Sequence, residues 1–409
     1  MPSDDRPLHY LVGTSGHPNY GDELIAATWL RYLARVSPHS DVWLDCPSPG
    51  PAAVLLGDLH PRVRFTDTLW RLCWEAPTDE PWEVSAYVQR VMEDPGVAPR
   101  WLRGVELVAR ADVVHVMGGG YINDIWPAHV GLLAGAVAAV RRSGGSAVAT
   151  GLGLSPVATN GNALLRHLAA QLDVLDVRDA LSVELVGSAA TPLLTGDDAF
   201  FGLGPHLYRS DGDLRPVMVC IQSDFVEVGV PALAEFLADT LRAWQVTGDS
   251  LGVVEGIPGA DRTVFALVER AFPGARFYPF SEIWETGFPA AAGQTWISTR
   301  FHPHLLAAAV GATGVALSVG TSYYATKHRS LTGQGSGWTI VDDLSQPPER
   351  PGGTGFDRSR VAELRAAKAA LAATIYPPPP SASIVGAGPP ARTTTRAYRT
   401  WTPATDGPA

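Results

Sequence analysis

Lysine is almost missing from this chain. Of 31 basic residues only Lys327 and Lys368 are lysine, and every other one is arginine. Lysine is a compact point charge whose pKa shifts readily and which can release a proton, whereas a guanidinium stays charged. A lysine downstream of an Arg-x-His motif, as Lys327 is, marks either a position that needs an ammonium or a chance surface residue. Cysteine is scarce too. Cys46, Cys73 and Cys220 lie far apart and form no CxxC pair, so neither a zinc site nor a disulfide framework is indicated, which suits a reducing compartment. The formal net charge is −10 and no basic block stands out, which argues against nucleic acid as a partner. An anionic ligand would then be held by a local positive pocket rather than drawn in by a long-range field. The longest apolar runs, such as 130–140, are short and broken by glycine, too short for a membrane span. No basic segment with a long apolar stretch precedes the strand-like run 8–12, so no signal peptide is expected and the cytoplasm is the expected location.

What is present describes an ordinary folded protein of two domains: 409 residues, 46% hydrophobic and 18% charged. Short β-like runs alternate with helical stretches. The run 8–12 precedes a helix over 21–36, where Ile25, Trp29, Leu33 and Val36 share one face. The run 112–117 ends in Gly118-Gly119-Gly120 and leads to a helix over 128–141; 146–150, 174–177 and 193–195 continue the pattern. A segment rich in glycine, proline and aspartate reads as a linker over 204–216. The alternation then restarts, with strands at 217–222, 251–254, 276–278, 295–298, 315–319 and 339–341. Helices are expected over 231–244, 262–271 and 303–310, and a last one from about 357 to 373. Two such blocks imply parallel sheets covered on both faces, an α/β protein with lobes at 1–203 and 217–345 and a C-terminal segment at 346–376. The Pro-rich 377–409 lacks periodicity and is expected to be disordered.

Ligands of open parallel sheets bind beyond the carboxyl ends of the strands, and the charged and Gly-rich motifs fall there. Asn19-Tyr20-Gly21-Asp22-Glu23 joins the first strand to the first helix, where Asn19 and Asp22 can cap the helix or meet a ligand. Gly118-Gly119-Gly120 permits a tight turn and close backbone approach, but is not the GxGxxG of dinucleotide sites. Arg178 stands at a strand end, with Asp179 placed to cap the next helix. Ser298-Thr299-Arg300-Phe301-His302-Pro303-His304 is followed, after an apolar run, by Tyr323-Tyr324-Ala325-Thr326-Lys327. His302 is set apart by its place between strand and helix; His304 is a lesser partner or a surface residue. The twelve tryptophans would suit sugar stacking or a core.

Taken in order, these motifs, together with Gly151-Leu152-Gly153-Leu154-Ser155-Pro156 and Asp197-x-Ala199-Phe200, resemble the polysaccharide pyruvyl transferase family over nearly 8–345. The resemblance implies two Rossmann-like lobes arranged as in GT-B glycosyltransferases, acceptor on the first lobe and donor on the second. It implies transfer of the carboxyvinyl unit of phosphoenolpyruvate to a sugar, most often as a pyruvate ketal. His302, Lys327 and Arg178 match the catalytic positions, and donor binding falls to Arg300, Arg178, Lys327, Tyr324 and His304. Asn19, Asp22, Gly118, Gly119 and Gly120 are expected on the acceptor side. Two departures touch the acceptor more than the donor: the segment 317–327 is longer than usual, and Asp198 replaces the proline that follows the family aspartate.

The chemistry fits those residue types. Phosphoenolpyruvate is a compact polyanion that wants Arg forks, a Lys charge and helix N-termini. Protonating its methylene needs an acid near neutral pKa, a role for His. No metal or cofactor is called for. The expected partners are phosphoenolpyruvate and a glycan, lipid-linked sugar or other hydroxylated acceptor, with peripheral membrane contact left open. Two alternatives stay open: a GT-B glycosyltransferase using a nucleotide sugar, and a relative repurposed for a small acceptor in secondary metabolism.

Overall fold

Strands that are buried on both faces need cover on both, and helices supply it here. The computed structural model describes residues 6–210, 212–318 and 322–378, the side chains at 159 and 322–325 excepted. The first lobe holds a seven-stranded sheet in the order β3-β2-β1-β4-β5-β6-β7. Its strands are β1 (Leu8–Val12), β2 (Asp41–Asp45), β3 (Val63–Thr66), β4 (Val113–Val116), β5 (Ser146–Leu152), β6 (Val174–Val177) and β7 (Leu193–Leu194). The second lobe holds a six-stranded sheet in the order β10-β9-β8-β11-β12-β13. These are β8 (Val217–Cys220), β9 (Leu251–Val254), β10 (Arg276–Tyr278), β11 (Thr295–Ser298), β12 (Thr313–Leu317) and β13 (Thr339–Val341). Both sheets are parallel throughout. Each therefore reads as near-continuous apolar runs with helices on both faces. The strand order reverses between β1 and β4, and again between β8 and β11, which opens a crevice at the carboxyl end of each sheet.

Several local expectations change in detail. The stretch 37–111, for which no element was expected, contains β2, β3 and the helices Thr68–Trp74 and Pro81–Glu93. β2 reads Asp-Val-Trp-Leu-Asp, with acids at both ends, and β3 is a half-exposed edge, so neither presents the apolar run of a central strand. The helix expected over 303–310 is Phe301–Ala309, which puts His302 and His304 in its first turns. Lys327 lies on a helix, Ser322–Gly333, that the sequence did not signal. The tail expected from 377 falls, past 378, outside the described residues.

One apolar cluster bridges the two lobes, and each lobe also has a cluster of its own. A single buried cluster contains Leu11 and Trp29 of the first lobe with Met218, Phe288, Trp296 and Leu305 of the second. The start of the first helix (Tyr20–Val36) is docked on the second lobe: Tyr20 N–H donates to Gly256 O at 2.9 Å, and its ring packs edge-on against Phe280 and Trp284. The last helix, Arg358–Ile375, returns to the first lobe and packs on the short helix Ala199–Gly202. From it Lys368 reaches Asp176 at 2.5 Å and Asp198 at 2.7 Å, all three side chains fully buried. A buried charge is tolerated only when paired and hydrogen-bonded, and this one is. Asp198 also accepts from Trp29 Nε1 (2.9 Å), Thr150 Oγ1 (2.6 Å) and the Gly118 amide (3.0 Å). Asp176 accepts from the Gly151 and Thr195 amides. Burial alone would lower the Lys368 pKa, but the two carboxylates outweigh it and raise it. No helix among the described residues is long and apolar enough to cross a membrane.

Candidate active site

A cavity of about 670 Å³ lies where the two crevices meet. Its walls come from the segments after β1, β2, β3, β4 and β6 in the first lobe and after β8, β9, β11 and β12 in the second. Arg178, Arg300, His302 and Lys327 all line it, together with Asn19, Asp22 and Gly120.

His302 follows β11 and is 8% exposed. Its Nε2 lies 3.4 Å from Asp197 Oδ1, within ion-pair distance. The opposite flank of the ring rests on the first helix, where a β-carbon on Gly21 would fall inside the imidazole. That contact, not backbone conformation, is why position 21 is glycine. Asp197 is fully buried. Burial by itself would raise its pKa, but His302 and Arg178 overcome that and hold it at about 2. It is thus a fixed anion behind the histidine.

Arg178 follows β6 and is 3% exposed. Its guanidinium lies over the Phe301 ring at 4.5 Å, with Nε 3.3 Å from Asp179 and Nη1 3.8 Å from Asp197. Gly153 leaves the room, since a β-carbon there would strike the guanidinium. Asp179 caps the helix Ala180–Val186 by accepting from the Ser182 amide at 2.9 Å. Lys327 lies nearby. Burial, and then the positive field of Arg178, push its pKa well below the lysine range despite Asp22. Burial likewise raises the pKa of Asp22, opposed by the charge of His302, a hydrogen bond from Thr14 and the charge of Lys327. Its Oδ2 accepts from Asn19 Nδ2 at 2.9 Å. A carboxyl with raised pKa, an imidazole backed by a fixed anion and a lysine with lowered pKa thus share one cleft, the pattern of acid–base chemistry.

The polysaccharide pyruvyl transferase family profile matches residues 19–321, well over half of the chain. The chain belongs to this family. No curated protein matches it significantly in sequence. Solved structures similar to it include a UDP-N-acetylglucosamine 2-epimerase from Listeria monocytogenes, described as putative, at 11% identity, with 91% of each chain covered and a TM-score of 0.48. Phytolacca americana UGT2 is 12% identical, covering 90% of this chain and 94% of its own at a TM-score of 0.47. Anabaena HepE is 13% identical, covering 90% and 95% at 0.46.

In this transferase the expected site residues differ in how they meet the cavity. Arg300 lines the cavity, but its fork is engaged by two carboxylates: Nη2 lies 2.6 Å from both Asp261 Oδ1 and Asp224 Oδ1. These two carboxylates compete with an anionic ligand for the guanidinium. His304 is fully buried and does not line the cavity; its ring stacks on Trp338, Nε2 meets Ser336 Oγ at 2.9 Å, and Nδ1 meets His328 Nδ1 at 3.0 Å. It sits in the helix Phe301–Ala309 two positions after His302, on another face, which explains why it cannot share the site. His328, which sequence reasoning passed over, does line the cavity. Burial holds its pKa at about 4, so its ring is neutral at neutral pH. Gly118 and Gly119 are behind the wall, where a β-carbon on Gly118 would meet Asp198; only Gly120 reaches the cavity. The side chain of Tyr324 lies outside the described residues. Asp197 was visible as part of a motif, but nothing in the sequence linked it to a histidine in the other lobe.

Gly21→Ala tests the packing of His302. The added methyl has no space unless the imidazole moves, so kcat is expected to fall at least tenfold while circular dichroism stays native. An active Gly21→Ala enzyme would show that the ring has room to shift.

Proposed function

We propose that this transferase moves the pyruvate unit of phosphoenolpyruvate onto hydroxyls of a sugar-containing acceptor and forms a pyruvate ketal. The observation that carries the reading is the meeting of Arg178, His302 and Lys327 in one cleft, with Asp197 behind the histidine. His302 protonates the methylene carbon, leaving an oxocarbenium-like C2. One acceptor hydroxyl adds to C2 and gives its proton to Asp22. The C2–O bond to phosphate then breaks, the electron pair leaving with phosphate. A second hydroxyl adds to the new oxocarbenium, returns its proton to His302 and closes the ketal. Arg178 and Lys327 neutralise the donor's carboxylate and phosphate, and the first turn of Phe301–Ala309 adds amide dipoles.

Phosphoenolpyruvate at about 100 times its Kd is expected to stabilise the protein by about 2.7 kcal/mol, while UDP leaves the melting temperature unchanged. A shift with UDP alone would favour a nucleotide-sugar transferase. Because Lys327 has a lowered pKa, its charge is lost as pH rises, and donor binding draws a proton back onto it. Donor affinity is therefore expected to weaken with rising pH in wild type. Lys327→Arg should flatten that dependence and Lys327→Ala should abolish the thermal shift.

A further inference from the structure

Lys327 and His302 come from different helices, and a pair of histidines joins the two. His304, in the helix of His302, and His328, next to Lys327, are both fully buried. Their ring centroids lie 5.3 Å apart, with Nδ1 facing Nδ1 at 3.0 Å. Burial keeps both neutral at neutral pH: the pKa of His328 is about 4, and that of His304 is pushed well below its ordinary value by burial and then by His328. A neutral imidazole has one donor and one acceptor nitrogen, so this contact fixes both tautomers. The Thr299 carbonyl can only accept, and it lies 3.2 Å from His328 Nε2, which therefore carries the proton. His328 Nδ1 is then the acceptor and His304 Nδ1 donates to it, while His304 Nε2 accepts from Ser336 Oγ at 2.9 Å. Trp338, stacked on His304 at 4.2 Å, holds that ring in its plane.

His328 is thus gripped at both nitrogens by Thr299 and His304, which flank the turn that carries Arg300 and His302. Apolar packing contributes little to holding its helix there. Among the described side chains of Ser322–Gly333 only His328 and Leu331 are fully buried. Beyond the helix, Gln334 Nε2 donates to Arg178 O at 3.0 Å and ties down the far end. A fully satisfied buried polar pair specifies one arrangement, which an apolar pair of the same size would not. We propose that His304 is a positioning residue: through His328 it sets where Lys327 stands against the donor, and it does not itself touch substrate. The proposal rests on the donor reading above, but the clamp can be measured with no donor present.

Lys327 and Lys368 are the only lysines, so lysine isotope-labelled at Cε gives two NMR signals in the full-length protein, and Lys327→Arg assigns them. Lys327 feels Arg178, Asp22, Arg300 and Asp197, and burial, followed by Arg178, lowers its pKa. In His304→Gln the amide sits near the place of Nε2, where it can still meet Ser336, and His328 loses its donor. The Lys327 signal is then expected to titrate higher by about one pH unit or more as the side chain gains water. Lys368 should keep its raised pKa, the control for an intact fold. His304→Asn sets an amide N–H near the place of Nδ1 and should restore the wild-type titration. The Kd for phosphoenolpyruvate should rise about tenfold in His304→Gln, the scale of one lost buried hydrogen bond, and recover in His304→Asn. Labelled histidine in the wild-type protein should show the proton on Nε2 of His328 and on Nδ1 of His304. The opposite tautomers, or a Lys327 titration that is the same in all three proteins, would overturn the proposal. If the Lys327 signal moves as expected while phosphoenolpyruvate binds none of the three, the clamp stands and the donor assignment fails.

Discussion

His302→Ala is expected to lower kcat by about 10²–10⁴ while leaving the dissociation constant for phosphoenolpyruvate within a few-fold of wild type. A general acid acts mainly in the transition state, so its loss belongs in kcat and not in ground-state affinity. The position of the ring supports this division. His302 is flanked by Asp197 at 3.4 Å and by the first helix at Gly21, so removing it leaves Arg178 and Lys327 to bind the donor. Single-turnover rates and calorimetric titration on the same preparation separate the two quantities. A His302→Ala enzyme with wild-type kcat would move the acid role to Lys327.

The second large effect is on stability. Lys368→Met is expected to cost about 3–5 kcal/mol, because it leaves Asp176 and Asp198 facing each other without a cation. The raised pKa of Lys368 means that its stabilisation is in place below the lysine range and is lost as pH climbs through the folded-state value. Urea unfolding should show a lower midpoint for the variant, and adding Asp176→Asn should recover part of it. An unchanged midpoint would show that the pair of aspartates shares a proton instead of a lysine. The variant should also slow catalysis, since Asp198 holds the Gly118 amide and Thr150 behind the cleft wall.

Much of the fold was legible because parallel strands buried on both faces leave unbroken apolar runs, as in Val217–Cys220 and Thr313–Leu317. The stretch 37–111 was not, since its two strands lie toward the sheet edge and are punctuated by charge. Arg178, His302 and Lys327 could be picked out from their places at strand ends and from the scarcity of lysine. Arg300 lines the cavity as expected, but the two aspartates that clamp it, Asp224 and Asp261, come from across the fold, and no local pattern announces them. His304 misled because helical phase decides which of two nearby histidines faces a cavity, and the helix begins earlier than expected. Lys368 stood out only by its rarity; no local pattern announces that a lysine on a C-terminal helix is the counter-ion of two aspartates in the first lobe.

The return of that last helix also sets an order on how the chain can be made. A ribosome delivers β1 to β7 long before residue 368, so the first lobe emerges with Asp176 and Asp198 lacking their lysine. It can reach its final packing only after the second lobe and the helix beyond it have been synthesised. The first 203 residues are therefore not an exchangeable module, and a chimera that swaps the first lobe must carry the helix Arg358–Ile375 with it.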